Sequence, residues 1–264
     1  MRAVSAREHA KWAWRSANAS RAIADLETSL QTALLERSPR GAAPTARGLL
    51  LADQARELLD AARHFNELGY HVFILTYRVC VEGAAVCAME DMARAMQIIA
   101  QNKDVFHVNP ERYITCGFSA GGYIVCLWNT EKGYPAFDLP KPQACFPIYP
   151  CTSYRLMNAE EWEENEDKDA FAFSGVGCTM QEACNSCFEI PAHVQGFPPT
   201  ALFATAEDDL VDPEHSRTLA RALENAGIPC RLEIGPTGGH GFADGIGMCM
   251  EGWPERAIRW YERL

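Results

Sequence analysis

No apolar run in this sequence approaches the length of a bilayer span, so no membrane helix is expected. The first ten residues, from Met1 to Ala10, lack the apolar core of a secretion signal. An excess of positive charge is lacking too: 24 Lys and Arg stand against 35 Asp and Glu, a net charge of −11. That balance argues against nucleic acid or an anionic membrane as partner. It fits a soluble protein with a neutral or unselected substrate; with no signal core a cytoplasmic protein is expected, and oligomeric state is left open. Residues 1–48 are almost free of Val, Ile, Tyr and Phe, and their only glycines are Gly41 and Gly48. No strand signal is found there. A helix is expected over residues 20–36, broken by Ser38-Pro39-Arg40-Gly41 and Ala42-Ala43-Pro44.

A second Cys-x-x-Cys pair is also lacking. The chain holds 11 cysteines, an odd number, which without a secretion signal suggests reduced thiols rather than a disulfide framework. Cys178, Cys184 and Cys187 could take His193 as a fourth ligand in a zinc site. With no second pair, and with helix-like flanks, buried or idle thiols are the preferred reading. No metal or organic cofactor is implied.

What is present is an alternation of elements. Residues 49–68 read as a helix closing at Gly69, a C-cap glycine. Residues 71–77, His-Val-Phe-Ile-Leu-Thr-Tyr, are a near-continuous apolar run, as expected of a strand buried on both faces. Helical pattern follows over residues 88–101, strand over 113–116, helix over 122–130 and strand over 144–149. Residues 151–198 interrupt the alternation and read as a helical cap, with an acidic run at 160–167. Strand 200–205, helix 214–226, strand 230–234 and helix 254–264 complete the chain. Strands alternating with helices imply a mostly parallel sheet covered on both faces, whose ligands bind at the strands' C-terminal ends.

Gly117-Phe118-Ser119-Ala120-Gly121 lies at one such end, between a strand and a helix. A serine hydroxyl needs to be aimed, exposed and paired with a base to act as a nucleophile. A sharp strand-to-helix turn lifts it off the sheet, and glycine at 117 and 121 is expected to relieve the crowding. Two later strands end in the matching partners. Ala206-Glu207-Asp208-Asp209-Leu210-Val211 follows one, and Gly238-Gly239-His240-Gly241 follows the other. Imidazole titrates in the right range for a base, and a carboxylate fixes its tautomer. Asp208 and Asp209 compete for that part. Asp208-Asp209-Leu210-Val211 fits an Asp-x-x-Val spacing, which favours Asp208.

With these residues in hand, residues 61–264 resemble the α/β-hydrolase esterases of the acetyl-esterase and acetylxylan-esterase type. The phrases that carry the likeness are the 68–79 run, Cys116-Gly117-Phe118-Ser119-Ala120-Gly121-Gly122, Gly196-Phe197-Pro198-Pro199-Thr200 and Gly238-Gly239-His240-Gly241-Phe242. The resemblance implies an α/β-hydrolase fold with a small helical cap, and a serine carboxylesterase of small acyl esters of sugars or xylan. It implies Ser119 as nucleophile, His240 as base, Asp208 as acid and the Ala120 N–H as one oxyanion donor. Residues 1–48 depart from the family. They show neither its first strands nor the glycine-rich loop that supplies a second oxyanion N–H. That departure supports an alternative, a crippled or non-catalytic hydrolase. A prolyl-oligopeptidase-like peptidase shares fold and triad, but no propeller fits here. The expected organisation is an atypical segment, 1–48, followed by a hydrolase domain, 49–264, with the cap at about 151–198.

Overall fold

The computed structural model describes residues 20–21, 23–24, 26–28, 32–38, 41–79, 81–157 and 175–264, with backbone alone over 50–58. The chain divides into two compact units, Met1–Asp60 and Ala61–Leu264. In the first, described residues within 20–28 are helical, as expected, but the helix does not extend to residue 36: residues 32–34 are irregular and 35–36 belong to a strand. The expectation of no strand is wrong. β1 (Leu35–Ser38) and β2 (Gly41–Pro44) form an antiparallel hairpin. The cause is local hydrogen bonding rather than strand propensity. The Glu27 carboxylate accepts the N–H groups of Leu34 and Leu35 at 2.9 Å, and Arg37 donates to it from the strand. Thr45 donates its hydroxyl to Ala33 O and its N–H to Leu34 O, closing the far end. Pro39 and Arg40, read as part of a helix breaker, lie outside the described residues.

α1 (Ala46–Glu67) ends as expected, with Gly69 at φ +91° donating its N–H to Asn66 O. The second unit is built on four parallel strands: β3 (Ile114–Phe118), β4 (Ala144–Ile148), β5 (Thr200–Thr205) and β6 (Cys230–Gly235), adjacent in that order. β4 and β5 are buried along their whole length, and β3 and β6 at the margins only in part. Side chains alternate across the pleat. Phe146, Ile148, Ala201 and Phe203 pack on one face with Phe65, Trp253, Ala257 and Ile258. Leu202 packs on the other with residues of α2 (Ala84–Gln101), α4 (Ala120–Leu127) and α6 (Glu214–Asn225). α3 (Lys103–Phe106) follows α2, and α7 (Trp253–Tyr261) closes the chain. Helices thus cover both faces of a parallel sheet, the architecture the alternation predicts.

Residues 71–77 do not form the expected strand. They carry no regular structure and have no ladder partner among the described residues, and Phe73 and Ile74 are 46% and 49% exposed. An apolar run specifies what a strand would like beside its side chains. It does not supply a neighbouring backbone, and the described sheet ends at β3. The segment is held by side chains instead. Phe73 meets Phe106 edge-on, Tyr77 packs on the core, and Asp91 accepts the N–H and guanidinium of Arg78. In the interval expected to form a cap, the described residues include short 3-10 turns, helical residues at 175–176 and a helix, α5 (Met180–Cys184), opened by a Thr179–Glu182 capping box. The acidic run at 160–167 lies outside the described residues.

Candidate active site

β3 ends in Phe118, and α4 begins at Ala120, so Ser119 alone makes the turn. Its φ is +52° and ψ −119°, a conformation that costs a non-glycine residue about 1–3 kcal/mol. Surrounding bonds hold it there. The Ser119 N–H donates to Ile148 O at the end of β4, and Tyr123 N–H donates back to Ser119 O. A Cβ on Gly117 would stand 2.1 Å from Gly121 O, so residue 117 has to be glycine. The expectation for Gly121 needs correction: a Cβ there would meet open space. The second tight position is Gly122, where a Cβ would lie 2.9 Å from Pro150 Cβ and 3.2 Å from Gly117 O.

β5 and β6 bring up the other two side chains. Asp208 stands three residues past β5, with its side chain 1% exposed. Its Oδ1 accepts the backbone N–H groups of Leu210 at 3.0 Å and Val211 at 2.8 Å. The Asp-x-x-Val spacing therefore marks a turn in which the carboxylate is fastened by its own loop. Asp209 is exposed. His240 follows β6 on a loop whose Gly239 O accepts the Thr205 hydroxyl at 2.7 Å, tying it to the end of β5. The imidazole bridges the two groups: Nδ1 is 2.8 Å from Asp208 Oδ2, and Nε2 is 2.8 Å from Ser119 Oγ. A carboxylate only accepts, so Nδ1 carries the proton and Nε2 is left as acceptor for the Ser119 hydroxyl. Ser119, His240 and Asp208 thus form one hydrogen-bonded line from three strand ends. Ala120, at the first turn of α4, is exposed beside the serine.

The other titratable groups serve differently. His215 is 4% exposed, and its Nδ1 accepts the N–H groups of Thr152 and Ser153 at 3.2 Å. Burial lowers its pKa below the usual imidazole value. Burial pushes the Cys151 and Cys187 thiols up to about 11 and Cys230 up to about 12, so all three stay protonated at neutral pH. The ten described cysteines are free. Among the described residues, no three His, Cys, Asp or Glu side chains are grouped to hold a metal ion, Cys178, Cys184 and Cys187 included. No helix among them is long and apolar enough to cross a membrane. The sequence reading missed Tyr149, the residue following β4. Its ring lies 4.7 Å from the His240 ring. The one available signal was its place at a strand's C-terminal end.

Comparison with known proteins agrees with this architecture. Residues 53–244 match the alpha/beta hydrolase fold family, and the chain belongs to it. Residues 14–49 match a different profile, the bacterial regulatory helix-turn-helix of the lysR family. The chain is 25% identical over 174 residues to endo-1,4-beta-xylanase B of Butyrivibrio fibrisolvens, covering 62% of this chain and 26% of that protein. It is 25% identical over 157 residues to the acetylxylan esterase of Xylanibacter ruminicola, covering 59% of this chain and 31% of that protein. The chain therefore spans less than a third of the length of either relative. Among solved structures, an acetyl ester-xyloside bifunctional hydrolase from Caldicellulosiruptor lactoaceticus superposes with TM-score 0.57 at 25% identity, over 72% of this chain and 70% of that one. A carboxylesterase from Lactobacillus plantarum, at 20% identity and TM-score 0.58 over 79% of each chain, shares the fold.

Proposed function

We propose that this chain is a serine carboxylesterase acting on small acyl esters, acetyl esters of sugars or xylan in particular. The observation that carries the reading is the unbroken line from Ser119 Oγ through His240 to Asp208 Oδ2, both links at 2.8 Å. Ser119 Oγ attacks the ester carbonyl carbon while His240 Nε2 takes the hydroxyl proton. The carbonyl oxygen becomes an oxyanion facing the Ala120 N–H at the helix start. Asp208 keeps the imidazole in the accepting tautomer and stabilises the imidazolium. Collapse expels the alcohol, which receives the proton from Nε2, and leaves Ser119 acylated. Water then attacks, its proton passing to His240, and the carboxylic acid departs with the serine restored. The acetyl preference is supported by the names of the similar proteins, an acetylxylan esterase and an acetyl ester-xyloside bifunctional hydrolase.

The test is turnover of p-nitrophenyl acetate by the wild type and Ser119→Ala. A fall of several orders of magnitude is expected, and equal rates would end the reading. The described sheet begins at β3, with residues 71–79 outside it, and this favours a second reading: an activated serine with weak turnover. Losing one oxyanion donor costs on the order of 10²–10³. A fluorophosphonate that labels Ser119 promptly in a protein that turns over slowly would identify that state.

A further inference from the structure

Tyr149 is a non-glycine residue with φ +37°, 5% exposed, at the C-terminal end of β4. Backbone in this region is strained for a side-chain-bearing residue and persists only where the surroundings over-determine it. At Tyr149 they do so from three sides. Its N–H donates to Phe203 O at 2.7 Å, binding it to β5, the strand that leads to Asp208. Its ring lies 6.0 Å from that of Phe118, the residue before Ser119, and the neighbouring Ile148 O holds the Ser119 N–H. The same ring meets the His240 imidazole at 4.7 Å and 60°, and Phe242 at 4.7 Å and 79°. Tyr149 therefore reaches every element that carries a member of the Ser119–His240–Asp208 line, by its ring at Phe118 and His240 and by its backbone N–H at β5.

The geometry points to Tyr149 as a positioning residue for the base: its ring holds the His240 imidazole in the plane that serves Ser119 and Asp208 together. An imidazole fastened by hydrogen bonds at its two nitrogens can still swing about the line between them. A ring packed edge-to-face against it blocks that swing. The same ring can sit near the positive charge that forms when Nε2 takes the serine proton. The left-handed backbone is what turns the chain so that the ring can reach this place. The inference rests on reading Ser119 and His240 as nucleophile and base.

Steady-state kinetics on p-nitrophenyl acetate tests it with Tyr149→Met, which removes the ring but fills similar space, and Tyr149→Phe, which keeps the ring. Misplacing a reacting group by about 1 Å can cost 10²-fold, so Tyr149→Met should lower kcat roughly 10–100-fold and leave KM within about threefold. Tyr149→Phe should recover most of the loss. Unchanged kcat in Tyr149→Met, a KM effect alone, or a Tyr149→Phe as slow as Tyr149→Met each overturns the inference. If Tyr149→Met melts out, Tyr149→Gly, which suits the positive φ, is read by the same criteria. In the wild type, a nuclear Overhauser contact between the Tyr149 ring and the His240 imidazole, assigned with His240→Gln, is expected whether or not the variants fold. Its absence overturns the inference. Equal turnover by wild type and Ser119→Ala would sink the esterase reading and this inference with it. A wild type that depends on Ser119 beside a fully active Tyr149→Met sinks the inference alone.

Discussion

Both carboxylate oxygens of Asp208 face the imidazole, Oδ2 at 2.8 Å and Oδ1 at 3.1 Å from His240 Nδ1, and Oδ1 also holds two backbone N–H groups. Asp208→Asn keeps the size but offers an amide where an acceptor is needed. Turnover should fall by about 10³–10⁴, while Asp209→Asn, at an exposed position, should change little. A reversed order in an ester assay would reassign the acid. The glycines give a second contrast. Gly117→Ala forces a Cβ against backbone 2.1 Å away and should cost several kcal/mol or the fold, whereas Gly121→Ala meets open space. Urea unfolding of the two variants measures the difference. His215 sets a pH dependence. Its folded pKa lies below the ordinary 6.5, because burial disfavours the charged ring. The unfolded chain therefore binds the proton more readily. The stabilising contribution is whole above about pH 6.5 and is lost as pH falls toward the folded pKa. His215→Asn, with an acceptor for the Thr152 and Ser153 N–H groups but no titration, should flatten that part of the stability profile.

At the scale of elements, what the sequence made legible is what repeats locally. β3, β4, β5 and β6 fall within a residue or two of their apolar runs, and Gly69 and Gly227 close their helices at positive φ. Ser119 and His240 were readable because glycine spacing and strand ends constrain where such side chains go. Asp208 was readable from the Val211 that its carboxylate binds. Partnership was not readable. Residues 71–77 have a strand's composition and no ladder partner among the described residues, while β1 and β2 have little strand composition and pair because Glu27 and Thr45 fasten their ends. Nor was the aim of Tyr149, since a positive φ outside glycine is imposed by surroundings. A ladder protects amides and side-chain anchors do not. Amides of residues 71–77 should exchange with solvent at least tenfold faster than those of β4 and β5, and equal protection would mean that the segment is paired in solution.

Across the whole molecule, the charge is unevenly divided. Residues 1–48 carry eight Lys or Arg against four Asp or Glu, so residues 49–264 hold all of the negative excess. The net figure of −11 thus averages a basic stretch that matches a helix-turn-helix profile with an acidic hydrolase unit. That acidity should repel anionic esters through the surface potential and leave neutral ones alone. Turnover of a succinate half-ester should rise with added sodium chloride, and turnover of p-nitrophenyl acetate should stay flat. Parallel responses would place the charge away from the entrance.

The strand that ends at the nucleophile is one of the two outer strands of the four, with a ladder on one side only among the described residues. Margins of a sheet fray before its centre. In rising urea, then, the elbow should loosen while β4 and β5 still stand, and catalysis should fade at a lower concentration than far-ultraviolet ellipticity.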